Sequence, residues 1–490
     1  MRWQDLVAIN PWWRRGVDFE PDDPDMMRLG EAPIKIERKK LALQPGRIYI
    51  LRGIRRVGKT VYLKNLVYHL ISEGIDPRSI LYISCDRLGG RGKALLNAIR
   101  NFLDNFTPAK SFIMLDEITY LKDEWILVLK ELAERPEAEN MAIIATGSNP
   151  ASIREKSERL PGRRVEGNNY LMYPLTFRQY LANLSNHAGL SASLREAAMK
   201  ISSLNEISIP LRSDDLRNIT DASLYLNELQ ILFRKYLLSG GFPHTINEYL
   251  KNGWISLDRY EELIKVVLGD LSSVNRSEAI AKVLLSEVID RQNYGQRTSY
   301  TSLGARTGYP HTTILSYLET LEEGFILFTL NAVDASSRRW RIKPKSDKKI
   351  FVIDPFLYHA LAAYLRGEEG FSLSEEMIND EELSSKLVEG VVASHLLRIR
   401  IAPHLVEKDS FLGFTYDKRG EIDIVFRAAD KVVGFEVKYK EEIGRIKHNN
   451  VYGMRASVIL TRNDYNLSQE PPVIPVSLFL ALLPRSSKLL

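Results

Sequence analysis

Four unbroken apolar runs mark the first third of the chain: Arg47-Ile48-Tyr49-Ile50-Leu51, Ile80-Leu81-Tyr82-Ile83, Ser111-Phe112-Ile113-Met114-Leu115 and Met141-Ala142-Ile143-Ile144-Ala145. Hydrophobicity without alternation predicts strands buried on both faces, as in a parallel sheet covered by helices. An amphipathic stretch, Val61 to Leu70, follows the first run, and strand–helix alternation continues over residues 46–180. Residues 181–225 are rich in Ser, Asn and Leu without strong periodicity and read as a mobile insertion. Helical patterning resumes at Tyr225 and stops at Ser239-Gly240-Gly241-Phe242-Pro243, where glycine and proline end a helix.

Further along, Tyr300 to Thr307 and His311 to Leu321 are short helical patterns separated by Gly308-Tyr309-Pro310. Ile314, Leu318 and Leu321 share a face of the second, so the pair reads as a helix-turn-helix. The strand Phe325 to Leu330 and the basic run Arg338-Arg339-Trp340-Arg341-Ile342-Lys343-Pro344-Lys345 follow. That order predicts a winged helix whose basic wing suits phosphate contact, or one used for protein packing. The length of 490 residues predicts about three domains. The pattern subdivides them into an N-terminal arm (1–45), a core (46–180), a helical lid with the insertion (181–270), a winged helix (271–350) and a last α/β segment (351–490).

With 44% hydrophobic and 26% charged residues, the composition is that of a globular protein. No segment has the length and apolarity of a membrane span, and Met1-Arg2-Trp3-Gln4-Asp5 lacks a secretory apolar stretch. The single cysteine, Cys85, excludes an intrachain disulfide and a cysteine-rich zinc site, so a reducing, cytoplasmic setting is expected. A net charge of +5 is too mild to indicate nucleic acid alone. In the arm, Asn10-Pro11-Trp12-Trp13 is expected to staple onto the core; stacking on a nucleotide base is the alternative.

The chemistry begins at Gly53-Ile54-Arg55-Arg56-Val57-Gly58-Lys59-Thr60, which fits the phosphate-binding pattern G-x-x-x-x-G-K-[ST] between a strand and a helix that opens with Val61. Gly53 and Gly58 are expected to supply backbone angles that turn N–H groups toward phosphate. Lys59 reaches the β- and γ-phosphates of ATP, and Thr60 holds magnesium. Asp116, at the end of the third apolar run, can complete the magnesium shell, and Glu117 is placed to polarise the attacking water. Ser148 and Asn149, after the fourth run, are candidate sensors of the γ-phosphate in the manner of AAA-type ATPases, with an ordinary turn as the alternative. Arg163 or Arg164 can act as an arginine finger toward a neighbouring copy in a homo-oligomer, or be a solvated turn residue.

A second constellation lies near the C-terminal end. Period-two alternation in Gly420-Glu421-Ile422-Asp423-Ile424-Val425-Phe426 and Val432-Val433-Gly434-Phe435-Glu436-Val437-Lys438 places Glu436 and Lys438 on one face, with Asp423 beside them across a hairpin. Asp423 and Glu436 can share magnesium while Lys438 positions or activates water, and Glu389 adds a contact from a helix. A solvated strand face is the plain alternative.

The acid…acid-x-Lys arrangement resembles the PD-(D/E)xK nuclease fold. The whole order (GIRRVGKT, LDE, TGS, Gly-Gly-Phe-Pro, winged helix, Asp…Glu-x-Lys) resembles prokaryotic, largely archaeal, AAA/STAND-type ATPases with a nuclease-derived C-terminal domain. The resemblance implies an α/β P-loop NTPase with a helical lid, a winged helix and a nuclease-like domain. Gly58, Lys59, Thr60, Asp116 and Glu117 would take the nucleotide roles, and Glu389, Asp423, Glu436 and Lys438 the nuclease-like ones. The implied function is an ATP-hydrolysing motor or switch acting on duplex or branched DNA. The alternatives are a signalling or defence-type switch that cleaves nothing, and an ATP-gated, restriction-like nuclease.

Overall fold

The computed structural model describes residues 1–122, 124–147, 168–336, 339–400, 408–441, 450–451, 454–486 and 489–490. Ser148, Asn149, Arg163, Arg164 and Arg338 lie outside the described residues. The chain divides into two compact units, Met1–Tyr173 with Ser487–Leu490, and Pro174–Ser486. The arm, most of the 46–180 segment and the last four residues of the 351–490 segment fall in the first; the rest falls in the second.

In the first unit the apolar runs form a parallel sheet: β1 (Ile48–Gly53), β2 (Ile80–Ser84), β3 (Ser111–Asp116), β4 (Met141–Gly147) and β5 (Asn169–Met172), in the order β2-β3-β4-β1-β5. Every residue of β1, β3 and β4 is buried, as their unbroken hydrophobicity requires. β4 lies between the phosphate-loop strand β1 and the acid-bearing strand β3, so the ends of all three converge.

The N-terminal arm closes the β2 edge. Asn10 exchanges hydrogen bonds with the Tyr82 backbone (3.1 and 2.6 Å), and the indole N–H groups of Trp12 and Trp13 both donate to the Ile80 carbonyl (3.0 and 2.7 Å). Trp13 also stacks between Trp3 and Phe102. Asn10 and the tryptophans thus satisfy Tyr82 and Ile80 backbone groups that an edge strand leaves open. A buried ion pair, Asp23 with Lys64, ties the same arm to the helix Lys59–Ser72. At the far edge, Leu489 bridges to Leu171 beside β5.

The second unit begins with helices. Residues 181–225, expected to be a mobile insertion, fall largely into the helices Phe177–Leu184, Ala192–Ser203 and Ser213–Ser223. Thr176 with Gln179 forms a capping box, Ser191 caps the next helix, and Leu184, Ala197, Ala198, Ile201, Ile219 and Ala222 are buried. Small alanines contribute core contacts with little hydropathy, which hid the period. The Gly240-Gly241 pair after Leu226–Ser239 is a packing device: a Cβ on Gly241 would lie 2.3 Å from the Leu175 carbonyl oxygen. The Gly241 amide donates to the buried Asp354 carboxylate at 2.8 Å, and burial pushes that carboxyl up to about 6.

Helices Tyr300–Thr307 and His311–Glu323 meet at Gly308, which adopts the left-handed conformation that ends the first. They lead into β6 (Leu327–Asn331), β7 (Val333–Ser336), β8 (Arg339–Ile342) and β9 (Lys348–Val352), with β6 antiparallel to β9 and β7 to β8. The β7–β8 hairpin does not stand free: Val333 and Ala335 are buried with Ile422 and Val425. The last sheet has the order β10-β11-β12-β13-β14, from Leu412–Asp417, Gly420–Ala428, Lys431–Lys438, Val458–Thr461 and Val473–Pro475. Its first three strands form an antiparallel meander, and β13 and β14 add in parallel. The helix Glu381–Arg400 packs on β11 and β12. No helix among the described residues is long and apolar enough to cross a membrane.

Within that helix, His395 is a core residue. Its Nε2 accepts the Phe177 amide (2.9 Å) and its Nδ1 faces the Val391 carbonyl (2.8 Å), a pattern that fixes the neutral ring. Burial, then the charge of Arg398, holds it down at about 3.

Trp12→Ala removes a buried ring and one cap of the β2 edge, and should destabilise the protein by about 3–5 kcal/mol in urea unfolding. His395, depressed in the folded state from about 6.5 in the unfolded chain, contributes stability above pH ~6.5 that is lost as pH falls toward 3. Urea midpoints of wild type should therefore fall more steeply below pH ~6.5 than those of His395→Gln.

Candidate functional site

The loop after β1 carries the phosphate-binding residues in two conformational classes. Gly58, at φ +99°, and Arg56, at φ +67°, have the left-handed backbone that turns successive amides inward. Gly53 is required for a different reason than the expected backbone freedom. It is the last residue of β1, and a Cβ there would lie 2.3 Å from the Met172 carbonyl oxygen on β5. Ile54 and Val57 are buried anchors, Arg55 and Val61 are half-buried, and Arg56 is exposed. The buried Lys59 starts the helix Lys59–Ser72, its ammonium donating to the carbonyls of Gly53 (2.9 Å) and Ile54 (3.1 Å). An ammonium held by neutral carbonyls can exchange them for phosphate oxygens at small electrostatic cost.

Asp116 organises the opposite wall. Its Oδ2 accepts from the Thr60 hydroxyl at 2.7 Å and the Tyr82 hydroxyl at 2.9 Å, and its Oδ1 accepts from the Thr146 hydroxyl at 2.5 Å. Burial, then the Asp116 charge, pushes the Tyr82 phenol far up, so it stays a donor. Glu117 follows in the left-handed region (φ +52°, ψ +44°), a strained conformation for a residue with a side chain. Its amide donates to Thr146 Oγ1 at 3.1 Å, so one hydroxyl serves both acids.

Thr146, wholly buried at the end of β4, therefore joins the two acids to each other. Ser148 and Asn149, the candidate sensors two and three residues further on, lie outside the described residues. Tyr82 and Arg38 carried no motif signal. Arg38 donates to the carbonyls of Val57 (3.0 Å), Tyr173 (3.1 Å) and Leu490 (2.8 Å), pinning the phosphate loop from behind. Cys85, beside β2, is a buried thiol that burial pushes up. The Thr60 hydroxyl and Asp116 carboxylate, hard oxygen donors in contact, fit a magnesium ion.

The C-terminal acids are arranged differently. Glu389, Glu421 and Asp423 surround the ammonium of Lys349 on β9, at 2.6, 2.5 and 3.8 Å. Asp423 Oδ2 accepts the Val437 amide at 2.8 Å, so Asp423 does lie across from the Glu436–Lys438 segment. Glu436 is buried at 1% exposure and its Oε2 lies 3.5 Å from Lys438 Nζ. The β10–β11 register slips by one residue between Gly413 and Thr415, opposite Ile422 to Val425, and this irregularity frames Asp423. Burial lifts the Glu389 carboxyl to about 7 against the pull of Lys349. Among the described residues, no group of three or more His, Cys, Asp or Glu side chains is arranged to hold a metal ion. Glu389, Asp423 and Glu436 thus do not meet as a metal-ligand set: a lysine stands among the first two and Glu436 pairs elsewhere. Lys349 gave no sequence signal because it lies in the run Lys348-Lys349 after the basic segment, where lysine is ordinarily solvated.

Residues 45–181 match a family model described as an AAA domain, and residues 230–368 match one described as a domain of unknown function, DUF8612. An uncharacterized protein of Haemophilus influenzae, a bacterium, is 22% identical over 404 residues, which are 80% of this chain and 82% of that protein. Among solved structures, a Walker-type ATPase of Pyrococcus abyssi is similar at 16% identity and a TM-score of 0.38, over 64% of this chain and 91% of its own. The Aeropyrum pernix ORC1 protein, solved in complex with DNA, is similar at 13% identity and a TM-score of 0.32, over 69% and 91%. TM-scores this low do not establish a shared overall fold. The AAA domain match and the parallel sheet with its phosphate loop identify an AAA-type P-loop ATPase domain in this chain.

Glu117→Gln should leave ATP binding within a few-fold while lowering kcat by about 10²–10⁴, measured by phosphate release alongside nucleotide-binding titration. Thr146→Ala removes a hydrogen bond to a buried carboxylate worth about 1.5–3 kcal/mol and should lower kcat roughly 10- to 100-fold.

Proposed function

We propose that this protein is an ATP-hydrolysing AAA-type switch that acts on DNA. The observation that carries the hydrolytic reading is the Asp116 carboxylate held between the Thr60 and Thr146 hydroxyls, with Glu117 beside it. A site built only to bind nucleotide needs no second acid fixed in a strained conformation.

In this reading Lys59 leaves the Gly53 and Ile54 carbonyls and takes the β- and γ-phosphate oxygens. Thr60 and Asp116 would hold magnesium, which neutralises triphosphate charge when bound. Glu117 orients the attacking water, and Thr146 keeps both acids in register. Arg163 or Arg164 is the proposed finger toward a neighbouring copy.

The DNA reading rests on the second unit. Its helix-turn-helix presents His311 and Thr312 exposed at the start of the helix His311–Glu323, the end that meets bases in a reading helix. Arg341 and Lys345 are exposed nearby in sequence. The C-terminal sheet, three antiparallel strands extended by two parallel ones, is compatible with a nuclease-like domain. The second reading is a switch whose winged helix binds protein and whose nuclease-like domain cleaves nothing. Lys349 among the acids favours the non-cleaving half of that reading.

ATP hydrolysis with magnesium should be measured with and without single-stranded, duplex and four-way-branched DNA, with cleavage followed on the same samples. Stimulation by one DNA form, abolished in Lys59→Ala, is expected, and binding should weaken steeply with salt. Hydrolysis indifferent to every DNA would sink the DNA reading and leave the protein-binding switch.

A further inference from the structure

Lys349 has no part in the nucleotide site. It is 3% exposed, and its ammonium touches Glu389 on one side and Glu421 on the other. The β6–β9 ladder fixes its entry, because Lys349 pairs with Leu330 in a register that continues through Ile350 and Phe351. Its ammonium also lies 5.4 Å from the centre of the Phe414 ring on β10. The acids have further partners: Asp423 takes the Val437 amide, and Glu421 Oε2 lies 3.3 Å from Arg297. Breaking a buried pair by removing one partner leaves an uncompensated charge, so such a lysine is not readily displaced.

We propose that Lys349 is a built-in counter-cation that takes Glu389, with Glu421, out of the acid set a nuclease-like site would offer a divalent metal, and stands beside Asp423. The inference leans on the nuclease-like reading of the C-terminal sheet only for that comparison, and it is independent of the ATPase. An ammonium gathers carboxylates as a metal does, through charge and three N–H donors. It has no open coordination position and cannot lower the pKa of a bound water as a metal ion does. Glu389 and Glu421 are therefore held together without metal, and a metal at Asp423 would have to do without them. The same contact ties β9, which follows the helix His311–Glu323 and β6 to β8, to β11 and the helix Glu381–Arg400.

The test uses the full chain without nucleotide. Thermal unfolding of wild type, Lys349→Met and Lys349→Met/Glu389→Gln is followed with and without millimolar Mg²⁺ or Mn²⁺. Wild type should shift with either cation no more than an Asp423→Asn protein does, since any shift then arises at Thr60 and Asp116. Lys349→Met should lose several degrees in Tm and regain part of it with Mn²⁺, a rescue absent from the double variant. A Lys349→Met protein as stable as wild type, with or without cation, would overturn the proposal. Should that variant fail to fold, water-proton relaxation on wild type decides. Mn²⁺ binding that is lost in Asp423→Asn would overturn the proposal, whereas Mn²⁺ binding unchanged in Asp423→Asn, or none, is the expected result.

Discussion

The Asp116 carboxylate is the point on which the first unit turns. It accepts hydroxyls from the P-loop helix (Thr60), from β2 (Tyr82) and from β4 (Thr146), so three elements on different sides of β3 are locked to one charge. Such a charge is tolerated in a buried place because its oxygens have donors, and charge-assisted hydrogen bonds are roughly twice as strong as neutral ones. The strand order makes the arrangement possible. With β4 between β1 and β3, the threonine at the β4 tip sits one strand away from both the phosphate loop and the acid.

The second unit holds its buried charges by the same rule with different partners. Asp354 receives the amides of Gly241, Phe356 and Leu357, so one carboxylate ties the glycine pair to the start of the helix Pro355–Arg366. Glu389, Glu421 and Asp423 are held by a lysine from another strand. Acids gathered from separate elements look like a metal site in the sequence, and only the position of the neighbouring cation separates the two cases.

The phosphate-loop pattern, its flanking strand and helix, and the acids at the end of β3 were legible because the pattern is local: consecutive residues at fixed spacing between one strand and one helix. The two short helices Tyr300–Thr307 and His311–Glu323 were legible for the same reason, through Gly308-Tyr309-Pro310 and the spacing of Ile314, Leu318 and Leu321. Long-range partners were not. Thr146 lies two residues before the residues singled out, and its role depends on which strand adjoins β4. Tyr82 and Arg38 act across 34 and 19 residues of chain, and Lys349 acts across 40. The helices within residues 181–225 were not legible because alanines such as Ala197, Ala198 and Ala222 share the core with scattered Leu and Ile, and the segment between them is rich in Ser and Asn.

The way Asn10, Trp12 and Trp13 cover β2 has a consequence for association. A parallel sheet with a bare outer strand offers a template on which another chain can add, and proteins guard such strands by covering them. Here the cover is made by side-chain amide and indole groups on an arm remote from β2 in sequence, and it blocks that strand from pairing with a second copy. Loss of the arm would leave the Tyr82 and Ile80 backbone groups of β2 open to strand addition.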